Sequence, residues 1–157
     1  MNRVIQKLEK SGEKYRLLGI SFGCTVALST ILRTDNKLKF LDKIVIWGPI
    51  PYWRSWKAFG RGIRDQRLGK GTTFIKNLKT FHAQTDPIEV MLPTVDYNVH
   101  LCIGTNDKYV PVEYALYLAS IARENDYLTF SVIQGCSHNV KESPDQKWMA
   151  YLEAIFV

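Results

Sequence analysis

The sequence contains no Cys-x-x-Cys pair, no apolar run approaching twenty residues, no tract rich in proline, glycine or serine, and no internal repeat. Each absence removes a class of protein. Its three cysteines, Cys24, Cys102 and Cys136, are an odd and widely spaced set, which fits neither a disulfide framework nor a zinc site and is expected to be buried, reduced and inert in the cytosol. No metal and no cofactor is implied by any spacing. A bilayer span needs about twenty apolar residues, so no membrane span is expected. The opening stretch MNRVIQKLEKSGEK carries charge throughout in place of the apolar centre of an export signal, and a cytoplasmic location follows as the expectation. Without repeats or biased tracts there is no solenoid and no disordered arm. Acidic residues are also scarce: 15 Asp and Glu stand against 21 Lys and Arg, a net charge of +6. The excess is local, because residues 50 to 90 hold eight basic side chains against Asp65, Asp86 and Glu89. Such a stretch attracts anionic partners or forms a solvated face; with no recognised binding motif beside it, no nucleic-acid partner is expected.

What remains is 157 residues of ordinary globular composition, the size of one domain. Val4, Ile5 and Leu8 predict a short amphipathic helix stopped at Gly12. YRLLGI (15 to 20), LDKIVIWG (41 to 48), NVHLCIG (98 to 104) and YLTFSVI (127 to 133) are short apolar runs of the kind that parallel strands, buried on both faces, require. Helical patterns lie between them, from Gly23 to about Thr34 and from Pro111 onward, and Ser143 and Pro144 open a last one. The alternation implies an α/β fold with a mostly parallel sheet and flanking helices in one domain over 1–157. Residues 48–97 break the pattern with clustered aromatics, basic residues and glycines, and read as an inserted cap or lid.

The stretch LLGISFGCTVAL (17 to 28) sets Ser21 between a buried strand and a helix, with Gly19 and Gly23 two residues away on either side. A turn this tight strains the serine backbone, points its hydroxyl off the sheet and asks for small neighbours, a demand that Gly19, Gly23 and Ala27 are expected to meet. Two further signals follow in chain order. CIGTNDKYVP places Asp107 just past the third strand, and QGCSHN places His138 just past the fourth, both at carboxyl ends where α/β sheets collect ligands. His82 in the basic stretch, His100 inside a strand, and Asp96 and Asp126 ahead of their strands are less well placed.

The G-x-S-x-G turn, the G-x-x-D-x-x-V-P strand end and the G-x-x-H loop resemble those of the α/β-hydrolase superfamily of serine esterases, lipases and acyl-peptidases, in the same chain order. The resemblance implies an enzyme: a serine hydrolase in which Ser21 attacks an acyl carbonyl, His138 carries the proton, Asp107 orients His138, and the N–H of Phe22 is one oxyanion donor. It implies a small-molecule acyl substrate and no cofactor. It covers the whole chain but only the C-terminal half of the fold, so the N-terminal strands of that fold are missing, as is the upstream HG-type loop that supplies the second oxyanion donor. A truncated or mis-started reading frame is the expected cause. The other readings are a second chain or oligomer that completes the sheet, and an inactive fragment or partner subunit that keeps the three residues as relics.

Overall fold

A computed structural model describes residues 2–34, 37–50, 80, 84–110, 112–138, 151, 153 and 155. The chain begins with α1 (Asn2–Ser11), followed by β1 (Tyr15–Ile20), α2 (Phe22–Leu32) and β2 (Leu41–Trp47). A short α3 (Ile88–Met91) and a 3-10 turn (Leu92–Thr94) precede β3 (Val99–Gly104), α4 (Val112–Arg123) and β4 (Leu128–Ile133). All strand pairings are parallel and the spatial order is β1-β2-β3-β4. The expected parallel α/β sheet is therefore present, each strand set beside its predecessor by a crossover through the helical layers.

Strand burial follows from this arrangement. Ile44, Ile46, Val99, Leu101 and Ile103 face one layer, where α2, α3, the 3-10 turn and α4 contribute Leu28, Ile31, Ile88, Leu92 and Leu118. Val45, Trp47, Cys102 and Ile133 face the other, with Cys136 beside them and Tyr151 and Ile155 packed on top. β2 and β3 are apolar at consecutive positions because both of their faces are covered. In α1 only part of the expected stripe points inward. Ile5 is buried and Leu8 half-buried, whereas Val4, at the far edge of the roughly 100° arc that the three residues span, is 59% exposed. The Glu9 carboxylate then accepts the N–H groups of Lys39 (2.9 Å) and Phe40 (3.2 Å), tying α1 to the turn ahead of β2.

Most of the span read as a cap, including residues 51–79 with their aromatic and basic side chains, lies outside the described residues. Its described end belongs to the main core: Ile88, Met91, Leu92 and Val95 are buried there. Asn125 donates from Nδ2 to the carbonyls of Leu92 (3.2 Å) and Val95 (3.0 Å), clamping this turn against the start of β4. The helix expected after Ser143 also lies outside the described residues, apart from the helical positions 151, 153 and 155. Among the described residues no helix is long and apolar enough to cross a membrane.

Candidate active site

With four strands running in one direction, their carboxyl ends line one rim of the sheet. Ser21 follows β1 directly. Its φ of 54° and ψ of −122° make it the one non-glycine residue with positive φ among those described. Such a conformation costs about 1–3 kcal/mol and persists only where the surroundings enforce it. Here the enforcement is visible: the Ser21 N–H donates to the Trp47 carbonyl (2.9 Å), extending the β1–β2 ladder through the bend, and the Cys24 N–H donates to the Ser21 carbonyl (3.0 Å), closing the first turn of α2.

The two glycines of the turn are not equivalent. A Cβ on Gly19 would lie 2.9 Å from the Cys24 Cα and 2.9 Å from the Gly23 carbonyl oxygen, so strand and helix meet here with no room for a side chain. A Cβ on Gly23 would meet nothing within 4 Å. The expectation that both sites demand glycine on steric grounds therefore holds for Gly19 alone. Cys24 is fully buried, and its thiol donates to the carbonyls of Gly19 (3.2 Å) and Trp47 (3.3 Å). Burial pushes that thiol well above its usual range, so it is a packing group and not a second nucleophile.

Asp107 and His138 come from the ends of β3 and β4, and their loops are laced together. The N–H of Asn106 donates to the Cys136 carbonyl (2.9 Å), and the N–H of Thr105 to the Ile133 carbonyl (3.0 Å). Side chains add the Gly135 N–H to the Thr105 hydroxyl (2.9 Å) and Asn106 Nδ2 to the Gly135 carbonyl (3.3 Å). The passage is close enough that a Cβ on Gly104 would fall 2.1 Å from the Cys136 carbonyl oxygen. Asp107 is fixed within its own loop as well: Oδ1 accepts the N–H groups of Tyr109 (2.8 Å) and Val110 (3.0 Å).

These supports bring the three sequence-predicted side chains into one line. Asp107 Oδ2 lies 2.8 Å from His138 Nδ1, and His138 Nε2 lies 2.8 Å from Ser21 Oγ. The Asp107 side chain is fully buried and that of His138 is 10% exposed. A carboxylate only accepts, so the proton between Asp107 and His138 belongs to Nδ1, which leaves Nε2 as an acceptor for the serine hydroxyl. The Tyr109 ring packs against the imidazole with centroids 4.9 Å apart and planes tilted by 56°. Phe22, the expected oxyanion donor, is the first residue of α2, at the positive end of the helix beside Ser21. Among the described residues no group of three His, Cys, Asp or Glu side chains is placed to hold a metal ion.

Sequence reasoning missed two contributors to this arrangement and the steric reason for a third. Tyr109 and Gly48 carry no signal as isolated letters, Gly48 reading as a strand stop; Gly104 is the glycine of the G-x-x-D-x-x-V-P strand end, but the Cys136 carbonyl that requires it is visible only in the fold. His100, set aside from the sequence, holds no part of the site. It bridges Thr129 Oγ1 (2.6 Å) and the Tyr151 hydroxyl (3.2 Å) on the face covered by the end of the chain.

No family model matches the sequence, and no curated protein matches it either. Solved structures do. An esterase from Exiguobacterium antarcticum superposes with a TM-score of 0.65 at 16% identity, over 98% of this chain and 70% of its own. An α/β hydrolase from a lagoon-sediment metagenome of Mar Chica, Morocco, gives 0.64 at 18% identity, over 99% of this chain and 67% of its own. A puromycin-hydrolyzing peptidase of Mycobacterium tuberculosis gives 0.63 at 18% identity, over 98% of this chain and 24% of its own. The chain thus has the α/β-hydrolase fold, and it spans part of the length of each neighbour.

Proposed function

We propose that the chain is the catalytic part of a serine hydrolase that cleaves a carboxylic ester, thioester or related acyl bond of a small-molecule substrate. The observation that carries this reading is the unbroken line from Asp107 through His138 to Ser21, with 2.8 Å at each contact. In the proposed reaction Ser21 Oγ bonds to the acyl carbon while its proton passes to His138 Nε2. The Asp107 carboxylate stabilises the imidazolium through Nδ1–H, and His138 then returns the proton to the departing alcohol or thiol. Water, deprotonated by the same nitrogen, attacks the acyl-serine and regenerates the hydroxyl. Atoms and charges balance without a cofactor.

The negative oxygen of each tetrahedral intermediate is assigned to the N–H of Phe22 at the start of α2. One donor of this kind contributes on the order of 2.7–4 kcal/mol, so a second is needed for full rate. The proposed source is a polypeptide that pairs with β1, since Ser21 leaves that strand at its outer margin. Residues 48–97 are proposed to shape the acyl or leaving-group pocket. The strained Ser21 backbone supports the same reading, because conformations of this kind cluster at active sites.

A fluorophosphonate probe tests the proposal. Labelling of the folded protein at Ser21, abolished in Ser21→Ala, is the expected result; absence of labelling on folded protein overturns it.

One observation favours a second reading, in which the chain works as a subunit or fragment that is inactive alone. Among the described residues β1 pairs only with β2, and it leaves Leu18 42% and Ile20 40% exposed. An unpaired apolar strand edge is a site for association. Light scattering that gives a stable dimer or hetero-complex, with hydrolysis only in that complex, would favour this reading over the first.

A further inference from the structure

The imidazole must cross most of the sheet to do its work. His138 follows β4, whereas Ser21 follows β1, and three strand spacings of about 4.8 Å separate those strands, roughly 14 Å in all. Its loop therefore passes over the ends of the two strands between. At the end of β3 the crossing occurs above Gly104, where the Cys136 carbonyl occupies the space a side chain would need. At the end of β2 the surface beneath the ring is Gly48. That residue has φ of +54°, and its N–H donates to the Cys102 carbonyl (2.9 Å), so the sheet itself fixes its Cα. A Cβ placed on Gly48 would stand 2.9 Å from His138 Nδ1, 3.0 Å from Asp107 Oδ2 and 3.2 Å from His138 Cε1.

Two of those atoms are the donor and the acceptor of a single hydrogen bond. Because the Gly48 Cα is part of a continuous ladder, it cannot retreat from a methyl group; the His138–Asp107 contact has to open instead. The preceding residue serves the other half of the site, since the Trp47 carbonyl holds the Ser21 N–H at 2.9 Å. We infer that Gly48 is a positioning residue: by presenting no side chain beneath the Nδ1–H···Oδ2 bond, it lets His138 lie between Asp107 and Ser21, so that two consecutive residues at the end of β2 set both the nucleophile and its base. This rests on the hydrolase reading for its catalytic meaning, although the steric contact does not.

Gly48→Ala is the test, with Gly12→Ala as its control. Gly12 also has left-handed φ, +73°, but its nearest side-chain neighbour would be the Phe40 ring at an ordinary 3.8 Å, far from the site. Both variants carry the backbone penalty of alanine at positive φ; only one meets the His138–Asp107 pair. The expected outcome is fluorophosphonate labelling of Gly48→Ala slowed about a hundredfold, the scale of a small misplacement of reacting groups. The low-field proton resonance of the His138 Nδ1–H is expected to shift or vanish, with Gly12→Ala like the parent in both respects. Labelling at the parental rate with an unmoved resonance overturns the inference.

If Gly48→Ala does not fold, the substitution is made in a chain that also carries His138→Ala and Asp107→Ala, where the methyl has room. There its effect on the urea midpoint should shrink to that of Gly12→Ala, and an undiminished loss overturns the inference. Should the parent protein fail to label, the hydrolase reading falls, while the resonance and the unfolding midpoints still decide the role of Gly48.

Discussion

The Ser21 side of the site and its Asp107–His138 side are held in place by opposite strategies. Ser21 is set mainly by a bend of a few consecutive residues: its own backbone strain, the close approach at Gly19 and the bond from the Cys24 N–H to its carbonyl, with one tie across to the Trp47 carbonyl of the adjacent strand. Asp107 and His138, thirty-one positions apart, are set by two loops that bond each other and pass within contact distance of bare strand ends. A local device is stiff but depends on a few steric facts. A loop pair spreads the same task over many weaker contacts, so it should bend before it breaks. The contrast makes the two sides separable by experiment.

On the proposed hydrolase reading, the largest effects should come from Ser21, His138 and Asp107, where the two sides would act as a unit. With the fold intact by circular dichroism, Ser21→Ala and His138→Ala should each lower kcat on p-nitrophenyl acetate by about a millionfold. Asp107→Asn should lower it by about ten-thousandfold, because the amide favours the wrong imidazole tautomer. Near-equal losses for the single and double variants would confirm that the residues work together.

Stability comes next in size, and here the two sides should diverge. Gly104→Ala drives a methyl from the end of β3 into the Cys136 carbonyl and Gly19→Ala drives one from β1 into the start of α2, so each should cost about 1–3 kcal/mol or more in urea unfolding. Gly23→Ala, in open space within the first turn of α2, should instead gain about 0.5–1 kcal/mol from helix propensity. A loss at Gly23 as large as that at Gly19 would show that the bend is tighter than described.

A smaller effect concerns pH. Burial, followed by the nearby Lys43 charge, holds the His100 imidazole below its ordinary value. An unfolded chain takes up a proton there near pH 6.5, whereas the folded one resists it, so stability should fall as the pH drops through that value. Urea midpoints at pH 7.5 and 5.5 should differ less in His100→Gln than in the parent.

The smallest expected effect is a lack of reaction. Burial raises the thiols of Cys24 and Cys102, the latter to about 12, so iodoacetamide at pH 8 should leave both unmodified until denaturant is added. Alkylation of Cys24 in the folded state would mean that the bend opens.

Much of this was legible in the sequence because its causes are local or periodic. Parallel strands covered by helices read as short, mostly apolar runs, which made those at 15–20, 41–48, 98–104 and 127–133 visible, although β1 and β4 at the margins of the described sheet are only partly buried. The glycine-flanked serine, and an acid and a histidine each just past a strand, are signals of a few neighbouring letters. Gly48 escaped, and Gly104 was visible only as a letter of the strand-end motif, because their necessity arises from a loop that crosses strand ends far away in the chain, and a strand-ending glycine looks the same whether or not anything passes over it. The spare room at Gly23 escaped for the converse reason: symmetry about Ser21 in the sequence is not symmetry in space.

The parallel course of the strands has a practical corollary. If chemistry gathers at one rim, then the turns that feed the strands gather at the other, among them residues 37–40 and Asn125–Tyr127, with Tyr127 47% exposed. Strands of six residues at about 3.3 Å each separate those turns from Ser21 by roughly 20 Å. A dye, an affinity handle or a bead attached through position 127 would therefore leave the working rim facing outward, giving an immobilised form whose orientation is dictated by the sheet.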